Sequence, residues 1–142
     1  MTTTVENKAI VRRTIEELWN RGNFGAIDEF VATDFVWHDT DIASQEAFKN
    51  YVSAMRMAFP DVHIAISDQV AERDRVVLRF TWKGTHQGEW MGIAPTGKEV
   101  TWTMIMICRV TDEKIVEAWD DQDMLGLLQQ LGAVPPLGKS EA

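Results

Sequence analysis

An acidic run near the C-terminal end of the chain carries the clearest chemistry. Four carboxylates, those of Glu117, Asp120, Asp121 and Asp123, follow an apolar stretch and surround Trp119. A carboxylate held beside apolar groups is poorly solvated, so its pKa rises and it can exchange protons near neutral pH. The pattern predicts proton-transfer catalysis in this segment.

Period-two alternation divides the same run between the two faces of a predicted strand. On an uninterrupted strand Glu117, Trp119, Asp121 and Asp123 share one side, and Asp120 lies on the other. We therefore interpret Asp120 as facing solvent. Glu117, Asp121 and Asp123 remain possible cavity residues.

Asp123 also has a structural interpretation. It is the first residue of a predicted helix over 123–131, where an aspartate serves as an N-cap that accepts backbone N–H groups. Those hydrogen bonds would lower its pKa. Both roles are compatible if one oxygen caps the helix and the other faces a cavity.

Two histidines are further candidates for catalysis. His38 follows an apolar segment, where it could shuttle a proton or orient a carbonyl, and His86 ends the apolar face of a predicted strand, from which it could point toward a cavity mouth. A lone histidine more often makes a structural hydrogen bond. The acids around His38 lack the ligand rhythm of a hard-ion loop, so we expect no metal there.

Six tryptophans in a chain of 142 residues suggest an aromatic-walled pocket. Ordinary core packing explains such residues equally well, because aromatic side chains dominate protein cores. The candidate substrate-binding residues are Trp37, Trp82, Trp90, Trp102, Trp119, Glu117 and the only tyrosine, Tyr51. Tyr51 lies among the apolar positions of a predicted helix.

The first half of the chain reads as helical. Predicted helices run from the capping pair Thr3 and Glu6 toward Gly22, over 26–31, and from a Ser44 cap to Phe59, where Pro60 forbids continuation. A brief extended piece covers 35–38.

The second half reads as strands with period-two alternation. Predicted strands begin at Val62 and cover 76–82, 100–110 and 115–122, before the final helix that Gly132 ends. Helices followed by antiparallel strands predict an α+β domain whose helices pack on one face of a curved sheet and leave a cone-shaped cavity. We expect a single domain over 1–134 and a loose tail over 135–142.

Composition limits the partners and the location. The net charge of −8, from 22 acidic and 14 basic residues, disfavours nucleic acid as a partner. No segment resembles a signal peptide or a membrane span, so a cytoplasmic protein with no membrane partner is expected. The single cysteine, Cys108, lies in an apolar run and is expected to be a buried hydrophobe.

Four motifs in order along the chain resemble the SnoaL-like polyketide cyclase family. They are Gly84-Thr85-His86-Gln87-Gly88, Gly92-Ile93-Ala94-Pro95-Thr96-Gly97-Lys98, Lys114-Ile115-Val116-Glu117-Ala118-Trp119 and Leu127-Leu128-Gln129-Gln130-Leu131-Gly132. The resemblance implies the cone-shaped nuclear transport factor 2-like fold, commonly dimeric through the sheet. It also implies cofactor-free intramolecular aldol ring closure on a hydrophobic, carbonyl-rich small molecule.

In the family an aspartate near the end of the last strand handles protons, and Asp123 best matches that position, with Asp121 as the alternative. Asp123 would remove a proton alpha to a ketone, and His38 or His86 would stabilise the developing oxyanion. Trp82 and Trp119 would hold the planar substrate. The superfamily also contains isomerases, dehydratases and hydrolases, and a non-catalytic binder or a structural domain would use the same fold.

Overall fold

Helices precede most of the strands in the computed structural model, which describes residues 2–135. The elements are α1 (Thr4–Ile15), a π-helical turn (Glu16–Asn20), α2 (Gly25–Phe30), β1 (Val31–Trp37), α3 (Gln45–Ala58), β2 (His63–Glu72), β3 (Arg75–Thr85), β4 (Glu99–Thr111), β5 (Lys114–Gln122) and α4 (Met124–Gln130). Most of the predicted tail, residues 136–142, lies outside the described residues.

The predicted helix boundaries are confirmed where they depend on local chemistry. The Thr3 hydroxyl accepts the backbone N–H of Glu6 at 3.1 Å, and the Ser44 hydroxyl accepts that of Ala47 at 3.0 Å. α3 ends at Ala58, two residues before Pro60. These caps satisfy backbone donors that have no partner inside the helix.

The first helix departs from the prediction after Ile15, where it continues as the π-helical turn. Tertiary hydrogen bonds stabilise this turn: Arg56 donates to the carbonyl of Trp19 at 2.6 Å, and the Asn20 amide exchanges two hydrogen bonds with the main chain of Ile64. Such turns are uncommon and often occur at functional sites. This one places Leu18 and Trp19 in the core.

The five strands form one sheet in the order β1-β5-β4-β3-β2. Only β1 runs parallel to its neighbour, β5, and the other pairs are antiparallel. β1 begins at Val31, earlier than the predicted extended piece, because Val31 pairs with Ile115. A nonlocal pairing therefore overrides the local helical pattern.

A bulge in β5 overturns the predicted strand parity. Ile115 pairs with Val110 and Glu117 pairs with Arg109, which leaves Val116 as an extra residue. An extra residue in one strand moves every later side chain to the opposite face. Beyond the bulge Ala118 faces the interior, so the uninterrupted alternation assumed from the sequence is wrong.

The helices cover the concave face of the sheet, as predicted. α1 packs against β2 and β3, and α3 packs against β1. Trp82 and Trp102 stack beneath them with ring centroids 5.4 Å apart, and both are 2% exposed. Burial of each such side chain contributes about 2 to 3 kcal/mol to folding. The α+β class and the curved, open sheet are thus confirmed.

Candidate active site

A narrow apolar cavity lies between the helices and the concave face of the sheet. Its volume is about 50 Å³, and its wall is almost entirely apolar. The wall includes Trp19, Trp37, Phe48, Trp82, Met106 and Cys108. Two of the predicted substrate-binding residues, Trp37 and Trp82, therefore do line the cavity, together with Trp19.

Asp120 lies on this interior face of β5, contrary to its interpretation as a solvent-facing residue. It follows Ala118 on the same face and pairs with Met106 of β4, and both of those residues line the cavity. Its Oδ1 accepts the indole N–H of Trp37 at 3.0 Å. The bulge at Val116 is the reason, because it reverses the parity of the residues after it.

The electrostatic environment of Asp120 suits proton exchange. Burial raises the pKa of its carboxyl, the Trp37 N–H opposes that rise, and the charges of Asp121 and Asp39 add to it. A carboxyl group shifted in this direction is a better base near neutral pH than an ordinary aspartate. The raised pKa that was predicted for a carboxylate of the acidic run thus belongs to Asp120.

Tyr51 of α3 lies in an aromatic cluster beside this carboxyl. Its ring centroid is 5.1 Å from that of Trp37 and 6.1 Å from that of Trp19, both edge-on. Burial raises the pKa of the Tyr51 hydroxyl, and the charge of Asp120 raises it further. The hydroxyl therefore remains protonated and is a hydrogen-bond donor at neutral pH.

Three predicted cavity residues of β5 lie on the outer face of the sheet instead. Glu117 pairs with Arg109, Trp119 with Ile107 and Asp121 with Ile105, all outside the cavity. The guanidinium of Arg109 binds Glu117 Oε1 through Nε at 3.2 Å and Nη2 at 2.9 Å, and these hydrogen bonds lower the pKa of Glu117. Glu117 is a structural ion-pair partner here.

His38 belongs to the same outer surface. Its ring stacks on Trp119 with centroids 4.8 Å apart and planes at 8°, and its Nε2 lies 3.3 Å from Glu117 Oε2. The guanidinium carbon of Arg75 lies over the Trp119 ring, 5.1 Å from its centroid. His38 and Asp120 thus lie on opposite faces of the sheet, and the catalytic role of His38 stays a prediction.

His86 is fully enclosed and does not open to the cavity mouth. It is 0% exposed, its Nδ1 accepts the backbone N–H of Thr96 at 3.2 Å, and its ring lies 5.5 Å from that of Phe59. The Trp90 ring also packs against Phe59, with ring centroids 6.0 Å apart. Neither His86 nor Trp90 lines the cavity.

Asp123 is an N-cap, as its competing interpretation proposed. Its Oδ1 accepts the backbone N–H of Gly126 at 2.9 Å, and the residue is exposed at the start of α4. Its predicted role in proton transfer stays a prediction. The capping geometry commits at least one oxygen to the helix.

Sequence reasoning missed two residues that contact or face the site. Neither Trp19 nor Gln122 was among the predicted site residues, yet Trp19 lines the cavity and Nε2 of Gln122 lies 3.5 Å from Oδ2 of Asp120. Trp19 could have been recognised as one of the six tryptophans of the chain. Gln122 gave no signal in the sequence.

Neither a metal-ligand cluster nor a membrane-spanning helix occurs among residues 2–135. Within that range no three His, Cys, Asp or Glu side chains group closely enough to hold a metal ion. No helix in the described part of the chain is long and apolar enough to cross a membrane.

Comparison with known sequences identifies the family. The sequence model of the SnoaL-like polyketide cyclases matches residues 9–131. The chain belongs to the SnoaL-like polyketide cyclase family. The match spans every strand and all the helices from within α1 to α4, so it includes the cavity and the acidic run.

Relatives of this chain include proteins named as cyclases. DnrD of Streptomyces peucetius, an aklanonic acid methyl ester cyclase, is 27% identical over 129 residues, which cover 87% of this chain and 88% of DnrD. AcmA of Streptomyces galilaeus, named for the same activity, is 28% identical over 132 residues, which cover 89% of this chain and 91% of AcmA.

Solved structures of similar proteins share the fold. AclR of Streptomyces galilaeus, a candidate hydroxylase, superposes with a TM-score of 0.84 at 34% identity, covering 96% of this chain and 87% of AclR. IdmH of Streptomyces antibioticus, a candidate polyketide cyclase, gives 0.76 at 30% identity, covering 89% of this chain and 98% of IdmH. The family's nuclear transport factor 2-like fold, predicted from the resemblance, is confirmed.

Proposed function

We propose that this SnoaL-like protein is a cofactor-independent cyclase that closes a ring in a hydrophobic, carbonyl-rich polyketide by an intramolecular aldol reaction. The observation that supports the proposal is the Asp120 carboxyl, raised in pKa and hydrogen-bonded to Trp37, beside an apolar cavity. Aklanonic acid methyl ester is the first substrate to test, because two relatives are named for it.

In the proposed reaction Asp120, in place of Asp123, is the acid/base. Its carboxylate removes a proton from the carbon alpha to a ketone, and the electron pair of that C–H bond forms an enolate. The enolate carbon attacks a second carbonyl carbon of the same molecule, which forms the new C–C bond. Protonated Asp120 then returns its proton to the resulting alkoxide. The reaction is redox-neutral and consumes no second reactant.

Tyr51 is proposed to stabilise the enolate oxygen. A protonated hydroxyl next to the base can donate to negative charge as it develops, which is worth most in a site that excludes water. The edges of Trp19 and Trp37 hold the Tyr51 ring in place. The side chain predicted only to bind substrate thereby becomes the oxyanion donor, a role first assigned to His38 or His86.

The cavity must widen to admit a polyketide. Its volume of about 50 Å³ holds only a small alkyl group, whereas pockets for drug-sized ligands measure about 300 to 1,000 Å³. The π-helical turn is the wall segment that we expect to move, because it carries two lining residues, Leu18 and Trp19. Substrate binding would then separate the rings of Trp19 and Trp82, whose centroids are 4.6 Å apart.

Chromatography with mass detection tests the reaction. An aldol closure is an isomerisation, so the product of aklanonic acid methyl ester is expected at an unchanged mass and a new retention time. An added oxygen atom would instead indicate a hydroxylase, the class suggested for AclR. Retention of the ester in unaltered, protein-bound form would indicate a binding protein.

The pairing of Asp120 with Tyr51 also supports a second function, an enolising isomerase. Such an enzyme would form the same enolate but return the proton to a different carbon without closing a ring. The two reactions differ in the carbon skeleton of the product. Two-dimensional NMR of the product separates them, since only the cyclase creates a new C–C bond.

We also propose a homodimer formed through the outer face of the sheet. Val70, Val77, Ile107 and Trp119 form a continuous apolar row, because each is the direct cross-strand partner of the next. Val70 is 62% exposed. A contiguous apolar row on the outer face of a sheet is a candidate interaction surface.

Charged residues border the apolar row on the same face. One row has Glu72, Arg75, Arg109 and Glu117 as successive cross-strand partners, with acids at both ends and bases at the centre. Sedimentation should show a dimer that Val70→Asp converts to a monomer; a monomeric wild type would contradict it.

A single domain and a cytoplasmic location are also proposed. One continuous hydrophobic core joins residues from Val11 to Leu131, which supports a single domain over 1–134. A cytoplasmic location is proposed from the composition, and microscopy of a tagged protein would test it.

A further inference from the structure

Gln122 links the Asp120 carboxyl to the buried core. Its Oε1 accepts the indole N–H of Trp102 at 3.1 Å, and its Nε2 lies 3.5 Å from Oδ2 of Asp120. Trp102 is fixed by its stacking on Trp82, with ring planes at 6°. One amide thus joins an immobile core residue to the carboxylate.

Hydrogen-bond chemistry fixes the orientation of this amide. The indole N–H of Trp102 donates and does not accept, so the amide oxygen of Gln122 must face it. The reverse orientation would set two donors against each other and leave the indole N–H unpaired. The amide NH₂ of Gln122 therefore faces Asp120.

We propose that Gln122 is a positioning residue that orients the Asp120 carboxylate through Oδ2 while Trp37 orients it through Oδ1. This inference rests on the proposed role of Asp120 in proton transfer. A carboxylate held at both oxygens cannot rotate freely about its terminal bond, so the lone pair directed at the substrate keeps its direction. The long Nε2 to Oδ2 distance is expected to shorten when substrate binds.

The charged and titratable groups around Asp120 come from three elements. Asp121 follows it on β5 and Asp39 lies after β1, and both carry negative charge. Tyr51 approaches from α3 as a neutral hydroxyl, and β4 contributes the non-titratable Met106. Gln122 is thus a neutral donor beside acids, and its N–H favours the ionised form of Asp120.

A carbon-13 NMR titration of the Asp120 carboxyl in ligand-free protein tests the proposal. Gln122→Leu is expected to raise the pKa of Asp120 by about 0.5 to 1 unit, because it removes a donor to the ionised form. Gln122→Asn keeps an amide that is one methylene too short to reach both partners, so it should act like Gln122→Leu. Asp121→Asn is the control for the direction of the shift. It removes a neighbouring negative charge, so it should lower the pKa of Asp120.

The link to Trp102 is tested by non-additivity. Trp102→Phe keeps an aromatic ring in the stack but frees the Gln122 amide to reverse, so the pKa of Asp120 should again rise. The double variant Trp102→Phe/Gln122→Leu should match Gln122→Leu alone, because both changes remove one shared contact. Additive shifts would show that Trp102 acts on Asp120 by another route and would overturn the proposed link.

Kinetics provide a second readout. With a cyclised substrate, Gln122→Leu should lower kcat about 10-fold and leave KM nearly unchanged, because orientation matters most in the transition state. The pH optimum should move upward with the pKa of Asp120. If Gln122→Leu fails to fold, the pKa of Asp120 can be measured in Gln122→Asn and Trp102→Phe instead.

Failure of this inference is distinguishable from failure of the proposed function. The titration needs no substrate, so an unchanged pKa of Asp120 in a folded Gln122→Leu protein overturns the positioning role by itself. Absence of ring closure by the wild type would overturn the proposed function and leave the titration result standing.

Discussion

The indole of Trp37 donates to Oδ1 of Asp120 at 3.0 Å across 83 residues of sequence. The hydrogen bond joins β1 to β5, which are adjacent and parallel in the sheet. It holds the carboxyl on the concave face, where burial raises its pKa and an apolar cavity lies beside it.

Trp37→Phe should raise the pKa of Asp120. The Trp37 N–H lowers that pKa in the native protein, so its loss leaves burial and the neighbouring acids unopposed. The alkaline shift should appear both in an NMR titration of Asp120 and in the pH profile of turnover. An acid shift would show that the hydrogen bond does not control the carboxyl.

Asp120→Asn should make the protein at least as stable as the wild type at pH 7. The pKa of Asp120 is higher in the folded than in the unfolded protein, so the wild type loses stability as pH rises from the unfolded pKa through the folded pKa. Asparagine does not ionise and avoids that loss. Thermal unfolding at several pH values should show that the stability difference between variant and wild type fades below about pH 4. The prediction would be contradicted if the variant lost stability relative to the wild type between pH 4 and pH 7.

Glu117→Gln should have the opposite pH dependence. Arg109 lowers the folded pKa of Glu117, so the ionised carboxylate stabilises the fold above its unfolded pKa, and that stability is lost as pH falls through the folded pKa. The variant should be less stable than the wild type at pH 7 and equal to it at low pH. Since Glu117 lies on the outer face, the cyclisation rate should be unchanged, and a large loss of rate would place Glu117 in the site.

Cys108 should report whether the cavity opens. The thiol lines the cavity, and burial raises its pKa to about 12, so very little thiolate is present at pH 8. A disulfide reagent should label it fully in guanidinium and slowly in the native protein. A cavity ligand should slow native labelling further, whereas rapid labelling unaffected by ligand would argue against an enclosed cavity.

The sequence was sufficient for features set by neighbours along the chain. Thr3, Ser44 and Pro60 determine helix ends through caps and a missing donor, and all three act as predicted. The apolar faces of β3 and β4 likewise follow from simple alternation.

The site was harder to predict because it depends on pairing between distant segments. The bulge at Val116 arises in the register of β5 against β4, and it exchanged the faces assigned to Asp120 and Glu117. The enclosure of His86 depends on Phe59, 27 positions earlier in the sequence, and no local pattern reveals that contact. The acidic run was evident in the sequence, but the structure was needed to show which of its members lie on the interior face of the sheet.

The most direct measurement compares Asp120→Asn with Asp123→Asn in the cyclisation assay. Asparagine retains helix capping at position 123, so both variants should keep the fold, and circular dichroism and the melting temperature verify this. We expect Asp120→Asn to lose at least about 100-fold in turnover, while Asp123→Asn keeps the wild-type rate. Full turnover by a folded Asp120→Asn protein, or its loss in Asp123→Asn alone, would contradict the assignment of Asp120 as the acid/base.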